Sequence, residues 1–402
     1  MGKPKIRFEG YSEDWEQRKL DDVLKRRIEQ RQQSEEYPRL AFASGQGVIP
    51  LSERKTNNRE QLTKDEYTKK YLVTELNDIV YNPANVKYGA IDRNKCGRGV
   101  ISPIYVTFTT NEVPGFIERI VTSHDFQQRA LRFEEGTVTK RQSVNPEDLV
   151  TLDILVAPKR EEQQKIATYF DALDHLITLH QRKYDETKTL KKYMLQKMFP
   201  QNGEKVPEIR FDGFTEDWEQ RKLGDNIVEY TEKTTENNQY PVLTSSRKGI
   251  FFQTDYYDGN QIASADNTGY NIVPYGYFTY RHMSDDEIFH FNINDIAENG
   301  IVSTLYPVFT TDENLDSRYL QYQLNYGREF ARYAILQKQG GSRTYMYLNK
   351  LRNLYLTVPT AIEEQKKISE YFTNLDHLIT LHQRKCDELR SVKKFMLQNM
   401  FI

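Results

Sequence analysis

Residues 173–183 read Leu-Asp-His-Leu-Ile-Thr-Leu-His-Gln-Arg-Lys, and residues 375–385 repeat this stretch without a change. The repeat extends further, because the segment from Glu161 to Phe199 returns, with substitutions, as Glu363 to Phe401. A shorter block, Trp-Glu-Gln-Arg-Lys-Leu, stands at residues 15–20 and again at residues 218–223. The chain is therefore one frame written twice, with two unlike inserts between the repeated blocks.

The longer repeated segment has the apolar spacing of an amphipathic helix. Apolar side chains recur three and four positions apart in both copies: Ile166, Phe170, Leu173 and Ile177 in the first, and Ile368, Phe372, Leu375 and Ile379 in the second. Acidic residues open each copy, and Pro200 and Gly203 end the first. We predict a helix over each repeated segment, 161–199 and 363–401, of about 39 residues and about 58 Å each.

The apolar stripes of these helices allow two packing arrangements. Each helix can cover its own insert, which is the common role of a helical stripe. Alternatively, the two helices can bury their stripes against each other. The length and the near-identity of the two segments favour mutual packing.

The inserts read as mixed strands and loops with short helices. Apolar runs bounded by Gly, Pro and Asn predict strands at residues 40–43, 76–81, 100–109 and 152–156 in the first insert, and at residues 242–244, 272–280, 301–310 and 354–358 in the second. A weak alignment survives, in which Gly99 pairs with Gly300 and Phe108 with Phe309. The sequence thus predicts an α+β protein in which two similar domains carry different surfaces.

Composition narrows the class of protein. The 402 residues suit two domains, and the net charge of -2 argues against nucleic-acid binding by bulk positive charge. The second insert alone holds 16 acidic and 11 basic residues over 223–358, a balance of -5. No apolar run approaches a membrane span, and we expect a cytoplasmic protein. Cys96 and Cys386 lie in unlike contexts, which predicts unpaired thiols.

No catalytic constellation is complete. Asn82-Pro83-Ala84-Asn85 faintly resembles the Asn-Pro-Pro-aromatic loop of adenine methyltransferases, but a plain Asn-Pro turn explains it better. Glu364-Gln365-Lys366 matches the end of a nuclease motif, yet it lies in the first turn of the predicted helix. The repeated pairs His175/His180 and His377/His382 are five positions apart, a spacing that does not place two metal ligands on one helical face.

Clusters of basic and polar residues in loops are the candidates for DNA contacts. We predict that contacts come from Arg54, Lys55, Arg93, Lys95, Arg98, Lys140 and Arg141 in the first insert, and from Arg247, Lys248, Ser342, Arg343 and Tyr345 in the second. The plain alternative for each cluster is a solvated loop. Arg141 and Arg343 stand out because both copies place an arginine ahead of the strand that leads into the long helix.

Trp15 and Trp218 occupy the shorter repeated block, just ahead of each insert. We interpret them as packing anchors between frame and insert. A recognition role is the alternative.

The order of these parts resembles the specificity subunit of type I restriction-modification enzymes over essentially the whole chain. The motifs that carry the resemblance are Glu-Glu-Gln-Gln-Lys-Ile at residues 161–166 and Glu-Glu-Gln-Lys-Lys-Ile at residues 363–368, each behind an insert and each followed by Tyr-Phe and Leu-Asp. The resemblance implies target recognition domains at 20–157 and 223–358, frame segments at 1–19 and 201–222, and antiparallel spacer helices at 158–200 and 359–402. It implies a pseudo-twofold repeat and half-sites about 34 Å apart on double-stranded DNA.

The same resemblance implies that this chain is not an enzyme. Two methylation (M) subunits that bind S-adenosylmethionine would dock on it, and restriction (R) subunits that use ATP and Mg²⁺ would join to cut DNA. No cofactor and no metal ion are expected on this chain itself, and no membrane partner is expected. Two other classes stay open: a coiled-coil scaffold whose inserts bind proteins, and a DNA-modifying enzyme that carries its own recognition domains.

Overall fold

A computed structural model describes residues 2–43, 45–54, 69–135, 143–201, 203–260, 262–338 and 343–401. The chain divides into two compact units: unit 1 is Met1–Gln181 with Arg384–Ile402, and unit 2 is Arg182–Gln383. Each unit therefore holds one insert together with a segment of each long helix.

The elements of unit 1 begin with strands and end in the first long helix. The strands are β1 (Glu16–Lys19), β2 (Leu24–Arg27), β3 (Gln30–Arg31), β4 (Leu40–Ala43), β5 (Gly47–Pro50), β6 (Tyr71–Thr74), β7 (Ile79–Tyr81), β8 (Ile91–Arg93), β9 (Gly99–Ile101), β10 (Val106–Thr110), β11 (Glu134–Glu135), β12 (Ser143–Val144) and β13 (Asp153–Val156). The helices are α1 (Leu20–Val23), α2 (Pro114–Val121), α3 (His124–Ala130), α4 (Pro146–Leu149) and α5 (Arg160–Lys197), which continues into unit 2.

Unit 2 repeats this arrangement. Its strands are β14 (Glu219–Lys222), β15 (Ile227–Glu229), β16 (Leu243–Ser246), β17 (Gly249–Phe252), β18 (Asn271–Pro274), β19 (Phe278–Thr279), β20 (Met283–Ser284), β21 (Asn292–Ile293), β22 (Asn299–Val302), β23 (Val308–Thr311), β24 (Thr344–Tyr345) and β25 (Tyr355–Val358). Its helices are α6 (Gln253–Tyr256), α7 (Ser317–Tyr326), α8 (Arg328–Leu336), α9 (Leu348–Leu351) and α10 (Ile362–Met400), which continues into unit 1.

The two units share one antiparallel strand order. The main sheet is β2-β10-β7-β8 in unit 1 and β15-β23-β19-β21 in unit 2. Three of the smaller pairings correspond as well: β1-β13 with β14-β25, β4-β5 with β16-β17, and β6-β9 with β18-β22. The predicted α+β class and internal repeat are therefore confirmed.

Glycine is retained at one aligned position for a steric reason. A Cβ atom on Gly99 would lie 2.6 Å from the carbonyl oxygen of Pro38, and one on Gly300 would lie 2.2 Å from Cδ1 of Leu243. Both distances are too short for any side chain, because the β4 and β16 segments approach the backbone of β9 and β22 closely. The weak alignment between the inserts thus reflects shared packing.

Four of the predicted strands are wrong in extent. Residues 100–109 and 301–310 each form two strands that join different sheets, because a turn closes between them with Tyr105 and Tyr306 donating their amides to Ser102 and Ser303. Residues 272–280 are likewise divided into β18 and β19 by a turn. The predicted strand 76–81 shortens to Ile79–Tyr81, since Asn77 has a left-handed φ of 74°.

The long helices pack on each other and also cover the inserts. Both of the arrangements that the sequence left open therefore occur. In unit 1, Asp174 of α5 pairs with Lys393 of α10, and the ring of Phe170 lies 6.0 Å from that of Phe401. In unit 2, Lys191 lies 2.6 Å from Asp376, and Phe199 stacks on Phe372 at 6.0 Å. Within each unit, the contacts move backward along α10 as they move forward along α5, which is antiparallel packing.

The same helix segments supply core to the inserts. Ile166, Phe170 and Leu173 are buried in the cluster that contains Phe116 of α2 and Val156 of β13. Their counterparts Ile368, Phe372 and Leu375 are buried with Tyr319 of α7 and Val358 of β25. Helix and insert therefore form one core in each unit.

The packing role predicted for the two tryptophans is confirmed. Trp15 and Trp218 are 2% and 1% exposed, and each contacts the ring at the end of a long helix, Phe401 at 5.8 Å and Phe199 at 6.5 Å. In each unit a buried carboxylate of a long helix also accepts hydrogen bonds from an arginine of the frame. These repeated residues therefore join the frame to its insert.

Glu162 and Glu364 are the two buried carboxylates of this joint. Arg7 Nε donates to Glu162 at 2.6 Å, and Arg210 Nε donates to Glu364 at 2.6 Å. Glu364 also accepts a bond from Trp218 Nε1 at 3.2 Å. Both oxygens of Glu364 are used in hydrogen bonds, so the residue has a structural position. A nuclease motif is not needed to explain its sequence.

Candidate nucleic-acid interface

The tip of the β16–β17 hairpin presents two predicted DNA-contacting cations in unit 2. Ser246 pairs with Gly249, so Arg247 and Lys248 are the two turn residues between the strands. Gly249 has a φ of 122°, a conformation that favours glycine. Buried Asn292 fixes the hairpin by donating to Ser245 Oγ at 2.8 Å and to the carbonyl oxygen of Ser246 at 2.9 Å. The geometry of this turn is therefore set by the second insert itself.

The structure brings Arg247 and Arg343 to one loop. Strand β20 pairs with β24, which places Asp285 across from Arg343 at the end of the ladder. Arg343 Nε donates to Asp285 at 2.8 Å, and Arg247 Nη2 donates to Asp286 at 2.5 Å. Lys338, which was not among the predicted contacts, pairs with Glu287. The hydrogen bond from Arg247 and that from Ser284 lower the pKa of Asp286 to about 2.

Tyr345 belongs to a small aromatic cluster beside these cations. The ring of Tyr347 stacks on His282 at 4.9 Å and on Tyr345 at 5.8 Å, and Tyr347 is 47% exposed. Arg281 is exposed at the start of the same segment. Exposed aromatic faces next to guanidinium groups can contact sugars and bases.

In unit 1 a group of cations lies around the sheet β3-β6-β9; Arg31, Lys69 and Arg98 are exposed, and Arg39 is half-buried. The guanidinium groups of Arg31 and Arg98 lie 4.8 and 5.4 Å from the ring centre of Tyr37. Arg98 also donates to Glu75 at 3.0 Å and to Glu36 at 2.7 Å. At the start of β6, the ring centre of Tyr71 lies 3.6 Å from the guanidinium group of Arg39 and 5.6 Å from the amine of Lys69.

Sequence reasoning missed Arg31, Arg39 and Lys69 because it searched for dense basic clusters. The available signal was weaker: Arg31 and Arg39 stand six and two positions from Tyr37, and Lys69 stands two positions before Tyr71. A cation that folding brings over a tyrosine ring stacks on it.

The glycine-rich loop 92–99 does not act as one unit. Arg93 is half-buried, and it donates to Glu118 at 2.6 Å, to Asp171 of α5 at 2.7 Å and to Asn77 at 3.1 Å. Lys95 also pairs with Glu118, at 2.6 Å. Fully buried Asn94 holds the loop, and only Arg98 emerges on the sheet with Tyr37. We therefore leave Arg93 and Lys95 out of the DNA-facing surface proposed below.

The remaining predicted contacts lie elsewhere. Arg54 is partly exposed and lines a cavity with Asn82 and Asn85. Asn82 caps the turn that follows it by accepting a bond from the amide of Ala84 at 3.1 Å, which confirms the plain Asn-Pro turn. Lys55, Lys140, Arg141 and Ser342 lie outside the described residues. Arg343 is described, but it precedes β24 and not the strand leading into α10, so that part of its prediction is wrong.

Two further properties bear on the site. Within the described residues, no group of three or more His, Cys, Asp and Glu side chains is placed to hold a metal ion. No helix in the described part of the chain combines the length and the apolar character needed to cross a membrane.

Comparison with known proteins agrees with this geometry. Residues 215–391 match the family model of the type I restriction modification DNA specificity domain. The type I restriction-modification S subunit from M. genitalium aligns over 100% of this chain and 99% of its own, with 12% identity and a TM-score of 0.60, which shows a shared fold. The HsdS subunit from Thermoanaerobacter tengcongensis aligns over 97% of both chains with 15% identity and a TM-score of 0.41. No curated protein sequence matches the chain. Residues 215–391 therefore match the sequence of the type I restriction modification DNA specificity domain, and the chain over its whole length shares the fold of a type I restriction-modification S subunit.

Proposed function

We propose that each insert reads one half of a two-part, asymmetric DNA target and that the paired helices set the gap between the halves. One observation carries this proposal: the inserts share a strand order but present different side chains at equivalent places. The hairpin tip that carries Arg247 and Lys248 in unit 2 carries Gly45 and Gln46 in unit 1. Two readers built on one frame would recognise two different sequences.

The first reader is the sheet surface with Arg31, Arg39, Lys69 and Arg98. The second is the hairpin and loop surface with Arg247, Lys248, Arg343 and Tyr345, in which Lys338 takes part. Both combine cations, which contact phosphates, with tyrosines that can contact sugars and bases. Arg54 remains a candidate at the edge of the first insert. We keep Lys55, Lys140, Arg141 and Ser342 as sequence-based proposals.

Repeated apolar residues on the helices support two equivalent partner subunits. In unit 1, Leu176 and Leu179 of α5 and Val392 and Phe395 of α10 are exposed. In unit 2 the equivalent residues are exposed, namely Leu378, Leu381, Leu190 and Tyr193. Exposed apolar residues at matched positions suit two copies of the same protein surface. We propose methylation subunits for these positions.

In the proposed assembly, this chain directs N6-adenine methylation by the methylation subunits and DNA cleavage by restriction subunits. S-adenosylmethionine, ATP and Mg²⁺ would be bound by those partners, and this chain would supply only recognition. The assembly would work in the cytoplasm, where it meets double-stranded DNA.

Mapping N6-methyladenine across a genome with and without this protein tests the proposal. We expect one asymmetric motif with a fixed gap to lose its methylation when the protein is absent. Unchanged methylation together with no sequence-specific DNA binding would favour a scaffold that binds proteins. Catalytic activity in the isolated chain would favour an enzyme that carries its own recognition domains.

A further inference from the structure

Three consecutive acidic residues in unit 2, Asp285, Asp286 and Glu287, each pair with a different cation. We call this segment the acidic loop. Its partners come from three separate places in the sequence: Arg343 before β24, Arg247 in the hairpin turn, and Lys338 after α8. Two of these three cations are predicted DNA contacts. The loop therefore gathers the positive charge of the second reader while neutralising it.

The acidic loop is a built feature. Ser284 is buried, its hydroxyl donates to Asp286 at 2.8 Å, and it accepts from the amide of Asp286 at 3.3 Å. The amide of Ile288 donates to the same carboxylate at 3.4 Å. Glu287 has a left-handed φ of 58°, which non-glycine residues seldom adopt. Strand pairing on one side and hydrogen bonds within the turn thus hold the three carboxylates in place.

Folding stability does not explain this arrangement. The side chains of Arg343 and Asp285 are 48% and 66% exposed, and those of Arg247 and Asp286 are 57% and 45% exposed. Ion pairs this exposed contribute little to stability. Their carboxylates would also repel the phosphates of DNA that approached the same arginines. An insert with an acidic balance can bind DNA here only if phosphates replace the carboxylates.

We propose that the acidic loop competes internally with phosphate for Arg247, Lys338 and Arg343, and so weakens the binding of DNA of any sequence at this surface. A duplex of any sequence must displace three positioned carboxylates before it gains three phosphate contacts. Only a half-site that adds base contacts offsets this exchange. The inference rests on the proposed function, because it assumes that this surface faces DNA.

The test compares the full chain with the variant Asp285→Asn/Asp286→Asn/Glu287→Gln. The matched control is Asp255→Asn/Glu298→Gln/Glu313→Gln, which changes the net charge equally at exposed acids that form no ion pair among the described residues. Binding is measured by fluorescence anisotropy over a range of salt concentrations. One probe is a mixed-sequence duplex of about 40 base pairs, about four helical turns. The other carries the motif found by methylation mapping.

We expect the loop variant to bind the mixed-sequence duplex at least about tenfold more tightly, with a salt slope steeper by up to about 2.7, or about 0.9 for each released cation. The motif duplex should also bind more tightly, by a similar factor, because both probes displace the same carboxylates, and the single variant Asp285→Asn should show about one third of the change in slope. The control variant should change the affinity for either probe much less. Equal effects of the loop and control variants, or weaker binding by a loop variant that retains its circular dichroism spectrum, would overturn the inference.

The outcome separates this inference from the proposed function. If the unmodified chain prefers the motif duplex but the loop variant binds the mixed-sequence duplex no more tightly than the control variant does, the acidic loop is not a competitor and the proposed function stands. If the unmodified chain shows no preference at any salt concentration, the proposed function fails as well.

Discussion

Replacing Glu364 by glutamine tests whether this residue is the structural carboxylate of unit 2. The side chain is 1% exposed and accepts bonds from Arg210 at 2.6 and 2.8 Å and from Trp218 Nε1 at 3.2 Å. Glutamine keeps one acceptor oxygen but removes the charge that balances the arginine, whose side chain is 12% exposed. Breaking such a buried pair costs about 3 kcal/mol, near the lower end of the usual range.

The two tryptophans provide the assay, because the chain has 2 of them and each lies in a different unit. In a Trp15→Phe background, fluorescence reports only Trp218 and therefore unit 2. With a urea dependence of about 2 to 3 kcal/mol per molar, the unfolding midpoint should fall by about 1 M. Removing both partners, in Arg210→Met/Glu364→Gln, should recover part of that loss, because no charge is then left buried without a partner.

The matched variant in unit 1 is Glu162→Gln, read from Trp15 in a Trp218→Phe background. Glu162 has the same arginine partnership, with Arg7 at 2.6 and 2.8 Å. A comparable shift there would show that the repeat preserves one joint. A different outcome would refute the structural role and favour a nuclease motif at Glu364. In that outcome, Glu364→Gln leaves the free energy of unfolding unchanged within about 0.5 kcal/mol, and the assembled enzyme loses DNA cleavage.

Three further outcomes are expected. Arg343→Ala should weaken or relax recognition of one half-site by about 1 to 3 kcal/mol while the other half-site is still read, as measured by methylation of half-site variants; equal relaxation of both halves would contradict the division of labour. Arg98→Ala should weaken DNA binding and reduce its salt slope by about 1 without lowering stability, whereas Arg93→Met should lower the urea midpoint of unit 1, because it leaves Glu118 buried without that partner. Burial alone would raise the pKa of Asp174, but Arg119 and Lys393 lower it below its usual value. Its contribution to stability is therefore present above about pH 4 and lost as pH falls through the folded pKa, and Asp174→Asn should flatten this acid dependence in urea unfolding followed by Trp15 fluorescence.

Local patterns predicted the long elements well. The three-and-four apolar spacing predicted helices that the structure bounds at Arg160–Lys197 and Ile362–Met400. The same patterns failed inside the inserts, where an apolar run such as 301–310 is two strands of different sheets. Turns that interrupt an apolar run depend on which sheet each half joins, and that choice is made by distant strands.

The helix joint shows how repeated residues acquire different partners. Asp174 and Asp376 occupy the same position in the repeat, and each pairs with a lysine of the other long helix. The third partner differs, because Arg119 completes the cluster in unit 1 and the hydroxyl of Tyr322 does so in unit 2. Repetition could identify the aspartates, whereas the drifted inserts supplied the third group.

By itself, the sequence determined the duplicated frame, the two amphipathic helices, the anchoring tryptophans and the resemblance to specificity subunits. All of these follow from periodicity or identity along the chain, which needs no knowledge of distant contacts. Only the tertiary structure decided which cations are exposed: Arg93 and Arg98 are five positions apart, yet the first is half-buried beside Asp171, 78 positions away, and the second is exposed over the ring of Tyr37. An arginine's availability depends on the carboxylates and rings that folding brings beside it, and those neighbours are not adjacent in sequence.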